Sequence, residues 1–223
     1  MKKKPFKIFV FLFFIFSSNY AFCFNYNSPH EFEIFRNNKK IGFHKLSFQN
    51  IEDKIVVNTQ IEMKVKLGII PVFTYSHKSE EIWKNNEFIA AKTNTKKNSR
   101  EFNFSARKIG SKIKIETRGK IFNVDADNLI TSYWNQKWLK KNILIDSQHG
   151  KKRLIKVEKK NFENVKAKNQ NIYAQRFKVL GRQEKPDGKK IDYDIWYDEK
   201  GRWVKIKFYI KKSLIEYFLV TKY

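Results

Sequence analysis

Residues that hold a chain together by covalent or metal chemistry are scarce here. Among 223 residues there are one cysteine, two methionines and four histidines. The single cysteine, Cys23, excludes an internal disulfide and any zinc site built from thiolates. Proline and glycine are also few, at 4 and 8, which excludes collagen-like and low-complexity chains. Acidic residues number 22 against 47 Lys and Arg, yet only 8 of the 47 are Arg. Phosphate and base-edge recognition leans on the planar guanidinium, so a net charge of +25 does not by itself point to nucleic acid. Lys, Asn, Ile and Phe all have A/T-rich codons and together supply 105 residues. Much of the charge therefore reads as base composition laid on a solvated surface, with an anionic partner as the competing account. Long apolar runs are missing too. The longest, Ile8–Phe16, has nine residues, well short of the roughly 20 that span a bilayer as a helix.

What is present is aromatic: 21 Phe, 10 Tyr and 5 Trp. A chain of this length can bury them in one core that needs no staples. The nine-residue run follows four lysines within Met1–Lys7 and precedes a small, polar stretch, Ser17–Cys23. This is the plan of a secretory signal. Ala21 and Cys23 occupy the minus-three and minus-one places of a cut before Phe24, so residues 1–23 are expected to be removed and 24–223 to form the exported, periplasmic β-domain. That mature chain lacks cysteine and carries a charge of +21. Two readings compete: a lipoprotein anchored through Cys23, which would need a smaller residue than Phe22 before it, and an uncleaved anchor.

From Glu31 onward the hydrophobic period is two. Ile55, Val57, Ile61, Met63, Val65 and Leu67 fall on one face, and Asn58, Gln60, Glu62, Lys64 and Lys66 on the other. Such alternation predicts antiparallel strands with one face on a core and one in water. Runs of this kind cover 31–36, 40–49, 54–67, 72–84, 87–96, 100–108, 112–118, 152–159, 171–181, 189–197, 202–211 and 213–222. The breaks carry hairpin chemistry: Asn37-Asn38, Asn85-Asn86, Pro186-Asp187-Gly188 and Asp198-Glu199-Lys200-Gly201. Short connections imply a meander. A sheet of twelve strands has to curl into a barrel or half-barrel to escape long open edges. Over Asp125–Lys141 the period fails, and Ile130, Trp134 and Trp138 fall at helical spacing. A short helix or ordered loop over one mouth of the barrel is expected there, capped by Asp127 or Asn128.

Four phrases in order carry a family resemblance: Lys40-Ile41-Gly42-Phe43-His44, Tyr75-Ser76-His77-Lys78-Ser79-Glu80-Glu81-Ile82-Trp83, Thr131-Ser132-Tyr133-Trp134-Asn135, and Trp196-Tyr197-Asp198-Glu199-Lys200-Gly201-Arg202-Trp203-Val204. Together they resemble an uncharacterised family of exported bacterial proteins, domain of unknown function 6134, over nearly all of the mature chain. Gln136 stands where that family commonly carries proline. The resemblance implies export and a β-rich fold, and it implies that function gathers around His44, His77, Tyr133, Trp134 and Asn135; Tyr75, on the same strand face as His77, is the sixth candidate for binding a ligand.

The chemistry-bearing residues have plainer explanations close at hand. The four histidines lack the i, i+2 or i, i+4 partners that a metal site would use, so no metal or other cofactor is expected. His77 shares a strand face with Phe73, Tyr75, Glu81 and Trp83, which suits a hydrogen-bonded core histidine better than a base. Ser132 is the one serine to consider beside His44 or His77 for an ester hydrolase, without a G-x-S-x-G elbow around it. Asp192, Asp194 and Asp198 share a face and suggest paired glycosidase carboxylates, against which stand cross-strand ion pairs with Lys205 and Lys207. Phe102 and Phe104 near Arg100 and Arg107 alternate with Glu101, Asn103 and Ser105, as a core face alternates with a wet one, and no nucleic-acid partner is expected.

The composite expectation is a single curved antiparallel sheet that binds or carries an apolar, lipid-like molecule in the envelope, or serves there as an assembly factor. Partners would be such a molecule or an envelope protein, with peripheral contact to an anionic membrane. An envelope hydrolase of esters or glycans and a structural partner of an outer-membrane complex are the alternatives.

Overall fold

The computed structural model describes residues 26–185 and 187–223. The expected signal segment and its cut before Phe24 lie outside the described residues. Period-two patterning does become strand. In chain order the strands are β1 (His30–Arg36), β2 (Lys39–Ile51), β3 (Lys54–Leu67), β4 (Ile70–Lys84), β5 (Glu87–Lys97), β6 (Arg100–Ile109), β7 (Lys112–Thr117), β8 (Lys120–Asp125), β9 (Leu129–Ile130), β10 (Ile143–Ile145), β11 (Lys152–Lys166), β12 (Asn171–Gln183), β13 (Lys190–Asp198), β14 (Trp203–Ile210) and β15 (Ser213–Leu219). They form one sheet in the order β8-β7-β6-β5-β4-β3-β2-β1-β15-β14-β13-β12-β11-β10-β9. Neighbours run antiparallel except β9 and β10, which are parallel.

Three strands exceed the twelve that periodicity shows. β8 follows the tight Arg118-Gly119 turn, and its first apolar residue, Ile121, faces solvent, so alternation hides it. β9 and β10 are too short for a period to register. Over Asp125–Lys141 the expected short helix or ordered loop is an ordered loop that carries one 3-10 turn, Gln136–Lys140. Asn135 caps it, in place of Asp127 or Asn128, its side chain accepting from the Lys137 amide at 3.0 Å. The tryptophan spacing arises because a segment of bends and a 3-10 turn aim Trp134 and Trp138 inward. Helical winding of the whole stretch is absent.

Antiparallel order decides which turns share an end of the barrel. The turns at 37–38, 68–69, 98–99, 118–119 and 211–212 lie at one end, together with the 146–151 loop. Those at 52–53, 85–86, 110–111 and 199–202 lie at the other. The second end is filled. Trp134 reaches over it to Trp83, Phe48 and Tyr26, with ring centroids 5.2, 5.8 and 6.4 Å away. Trp138 donates from Nε1 to the Tyr197 hydroxyl at 3.0 Å.

The edge strands β8 and β9 do not pair, so the curled sheet is not strictly closed. The 146–151 loop docks on the inner faces of β4 to β8: Gln148 donates to the Tyr75 hydroxyl, the Ser147 carbonyl accepts from Thr93 at 2.6 Å, and the His149 ring meets Phe102 at 4.6 Å. Gly150 fits because it has no Cβ. One added there would lie 2.8 Å from the Thr117 methyl, at a φ of +67° that side-chain-bearing residues avoid.

Candidate functional site

Alternation puts His44 of β2 inside, with Lys45 outside, and His77 of β4 inside, with Lys78 outside. Register then aligns them across the inner wall, where His44 faces Ile61, Ile61 faces His77, and His77 faces Thr95. His77 makes a 2.7 Å hydrogen bond between Nδ1 and the Thr95 hydroxyl. His30, on β1, is satisfied at both nitrogens: Nε2 lies 2.7 Å from the Trp203 carbonyl, which only accepts, so Nδ1 accepts from the Tyr223 hydroxyl at 2.6 Å.

His44 differs. Its ring packs against Trp203, Tyr217 and Phe32 at 5.0, 5.8 and 6.1 Å. It is 94% buried, and neither ring nitrogen has a hydrogen-bond partner among the described residues. Burial lowers the pKa of His44 and His30 to about 3 and that of His77 to about 4, so all three are neutral at pH 7. A buried polar group without a partner costs about 1–3 kcal/mol, and His44 has no such partner among the described residues.

The inward side chains around His44 differ in exposure. Phe32, Ile34 and Trp203 are wholly buried. Ile61, Met63, Phe73, Tyr133 and Phe208 are half-buried, and Tyr75, Tyr193 and Tyr217 each keep 8% of their surface accessible. Phe73, Tyr75 and His77 stack in a row along β4 at 6.5 and 6.4 Å. Tyr133 meets Tyr193 at 5.9 Å and Trp203 at 5.5 Å from the opposite side. Burial raises the hydroxyl pKa of Tyr75, Tyr133, Tyr193 and Tyr217, so they remain neutral donors. The concave inner face, a chamber in outline, thus runs from half-buried apolar side chains to the more deeply buried His44, His77 and Tyr217. At its rim sits the buried ion pair of Asp146 with Arg153. Burial works to raise the Asp146 pKa, but hydrogen bonds from His149 and Arg153 hold it well below the usual carboxylate range.

The six candidate residues therefore separate into two groups. His44, Tyr75, His77 and Tyr133 border the chamber. Trp134 and Asn135 belong to the closed end. Trp134 donates to Glu81 at 3.2 Å, as Trp83 does at 2.9 Å, and Asn135 donates to Asn86 at 2.7 Å. Ser132 also bonds to Glu81, so the serine–histidine pairing is replaced by a serine–glutamate contact. Burial pushes the Glu81 pKa up, and the bonds from Trp83, Ser132 and Trp134 oppose it.

The aspartates are indeed in ion pairs, though with other partners than expected. Lys178, on the other neighbouring strand, meets Asp192 at 2.5 Å and Asp194 at 3.4 Å. Asp198 is held by Arg202 at 2.6 Å, and Lys205 turns to Glu216 at 3.5 Å. Tyr193, Tyr217, Asp146 and Arg153 are chamber residues that sequence patterning does not single out. The first two show only as inward members of alternating strands.

A second depression, about 970 Å³, lies open on the outer face of β2 to β8 between Lys45, Asn58, Lys78, Asn94 and Arg118. Asn94 in it is already bonded to Glu101 and Asn103, so it lacks the unmet hydrogen-bonding demand of the interior. Among the described residues no group of three His, Cys, Asp or Glu side chains is arranged to hold a metal ion.

The profile of a domain of unknown function, DUF6134, matches residues 32–220. No curated protein matches the chain. Among solved structures the chain is similar to the β-barrel-like protein of the domain of unknown function DUF1849 from Brucella abortus. That match has a TM-score of 0.61 at 11% identity and covers 86% of this chain and 96% of that one. At this identity the likeness speaks for the fold alone.

Proposed function

The chain belongs to the DUF6134 family, and from that premise we propose that it is an exported envelope protein that binds an amphipathic, lipid-like molecule in its interior chamber. The ligand's apolar chain lies along Met63, Phe73 and Phe208. Its polar head meets His44, His77 and Tyr217. The observation that carries this reading is His44: a neutral ring, 94% buried, beside half-buried apolar side chains and with two nitrogens unpartnered among the described residues. One nitrogen donates and the other accepts, so a head offering both functions, such as a carboxylic acid or a hydroxyl, is the fit. A membrane lipid or a free fatty acid has this chemistry.

Trp203 lies 5.0 Å from His44, so its fluorescence reports on the chamber. Titration of the mature chain with palmitate should give a saturable change. His44→Phe, which removes both hydrogen-bonding atoms, should weaken that binding about tenfold, the equivalent of one lost bond. An unchanged spectrum in both proteins would overturn the reading.

A further inference from the structure

The β3–β4 hairpin ends in an apolar tip that is largely exposed. Leu67 is 75% exposed, Ile69 91%, Ile70 64% and Val72 53%. Single exposed apolar residues need no explanation, but four within six positions at a protruding turn do. The tip stands at the same end of the barrel as the half-buried Met63 and Phe73 of the chamber. Four strand positions away at that end, the β14–β15 hairpin exposes Tyr209 at 64% and Ile210 at 51%.

Charge divides along the same axis. Turns at this end carry Lys97, Arg118, Lys120, Lys211 and Lys212, none of them in an ion pair among the described residues. At the closed end four acids are paired, Asp53 with Lys84, Glu87 with Lys108, Asp125 with Lys112 and Asp127 with Lys141, while Glu52 and Glu199 in its turns are in no ion pair among the described residues. An apolar tip ringed by unpaired cations is complementary to one kind of surface, an interface of acyl chains beneath anionic head groups.

We propose that the end of the barrel bearing this tip docks on an anionic membrane, with Leu67, Ile69 and Ile70 inserted among the lipids and the turn lysines on their head groups. This surface is argued from exposure and charge, independently of what the chamber holds. Docked this way, the chamber opens toward the bilayer.

The test is co-sedimentation of the mature chain with phosphatidylcholine vesicles and with vesicles that also contain phosphatidylglycerol. Binding should require the anionic lipid and weaken with salt. Ile69→Asp with Ile70→Asp should reduce it at least tenfold, and these exposed positions leave the fold untouched. Lys211→Glu with Lys212→Glu should reduce it by a similar factor, since each lysine near an anionic surface is worth about fivefold. In Ile69→Trp the new indole's emission should shift to the blue on anionic vesicles. His44→Phe should bind vesicles like the wild type, which separates failure here from failure of the chamber reading. No sedimentation with either vesicle, equal binding to neutral ones, or unchanged binding by the aspartate variant would overturn the proposal.

Discussion

At the scale of single residues, His44 stands out because, among the described residues, it is held neutral among rings with a partner for neither nitrogen. A residue kept for folding alone would be expected to improve on replacement by an aromatic of similar size. We predict that His44→Phe leaves stability unchanged or raises it by about 1 kcal/mol in urea denaturation, while palmitate binding falls. A clear loss of stability would show that the two nitrogens are satisfied and the chamber reading misplaced.

The buried histidines also set an acid limb. Their folded pKa values, about 3 for His30 and His44 and about 4 for His77, lie below the unfolded value near 6.5. Between those limits the unfolded chain binds more protons, so stability falls as pH drops, at up to about 1.4 kcal/mol per pH unit for each histidine. The melting temperature should be level above pH 7 and drop steadily from pH 6 to pH 4. With His44→Phe the slope should be shallower by about a third. That His44 and His77 point inward is legible from the lysines that follow them. The missing partner is not, because it depends on what β1, β14 and β15 place around the ring.

At the scale of elements, the close approach of β2 and β3 explains the glycine in Lys40-Ile41-Gly42-Phe43-His44. A Cβ at Gly42 would collide with the Glu62 backbone carbonyl. Gly42→Ala should therefore cost roughly 2–4 kcal/mol and disturb the register that seats His44 opposite Ile61, read as loss of both stability and palmitate binding. The segment over the closed end behaves as a plug. Trp134, 2% exposed, packs on Trp83 and bonds to Glu81, so Trp134→Ala should cost roughly 3–5 kcal/mol. A loss under about 1 kcal/mol would place the segment outside the core. Strands were legible where alternation ran for six residues or more. β8 was not, with Ile121 turned to water, nor were β9 and β10, whose two and three residues carry no period. The i, i+4 tryptophans imitate a helix because a segment of bends and a 3-10 turn send both to the same interior.

At the scale of the whole molecule, a curled sheet followed from many short turns with no crossover between them. The docking of the 146–151 loop did not, because Gln148, His149 and Gly150 meet Tyr75, Phe102 and Thr117 from far along the chain, a relation that local patterning does not record. The same geometry gives the barrel two unlike ends. One is covered by tryptophan and bears mostly paired acids; the other bears lysines in no ion pair among the described residues and an apolar hairpin. Under the function proposed here, the lipid-like ligand enters from that second end. Native mass spectrometry of the mature protein purified from cell envelopes, with solvent extraction of what it carries, tests this most directly. The predicted result is one amphipathic molecule per chain, absent from His44→Phe prepared in parallel. Wild-type protein that arrives empty, and stays empty after incubation with lipid extract, would contradict the account.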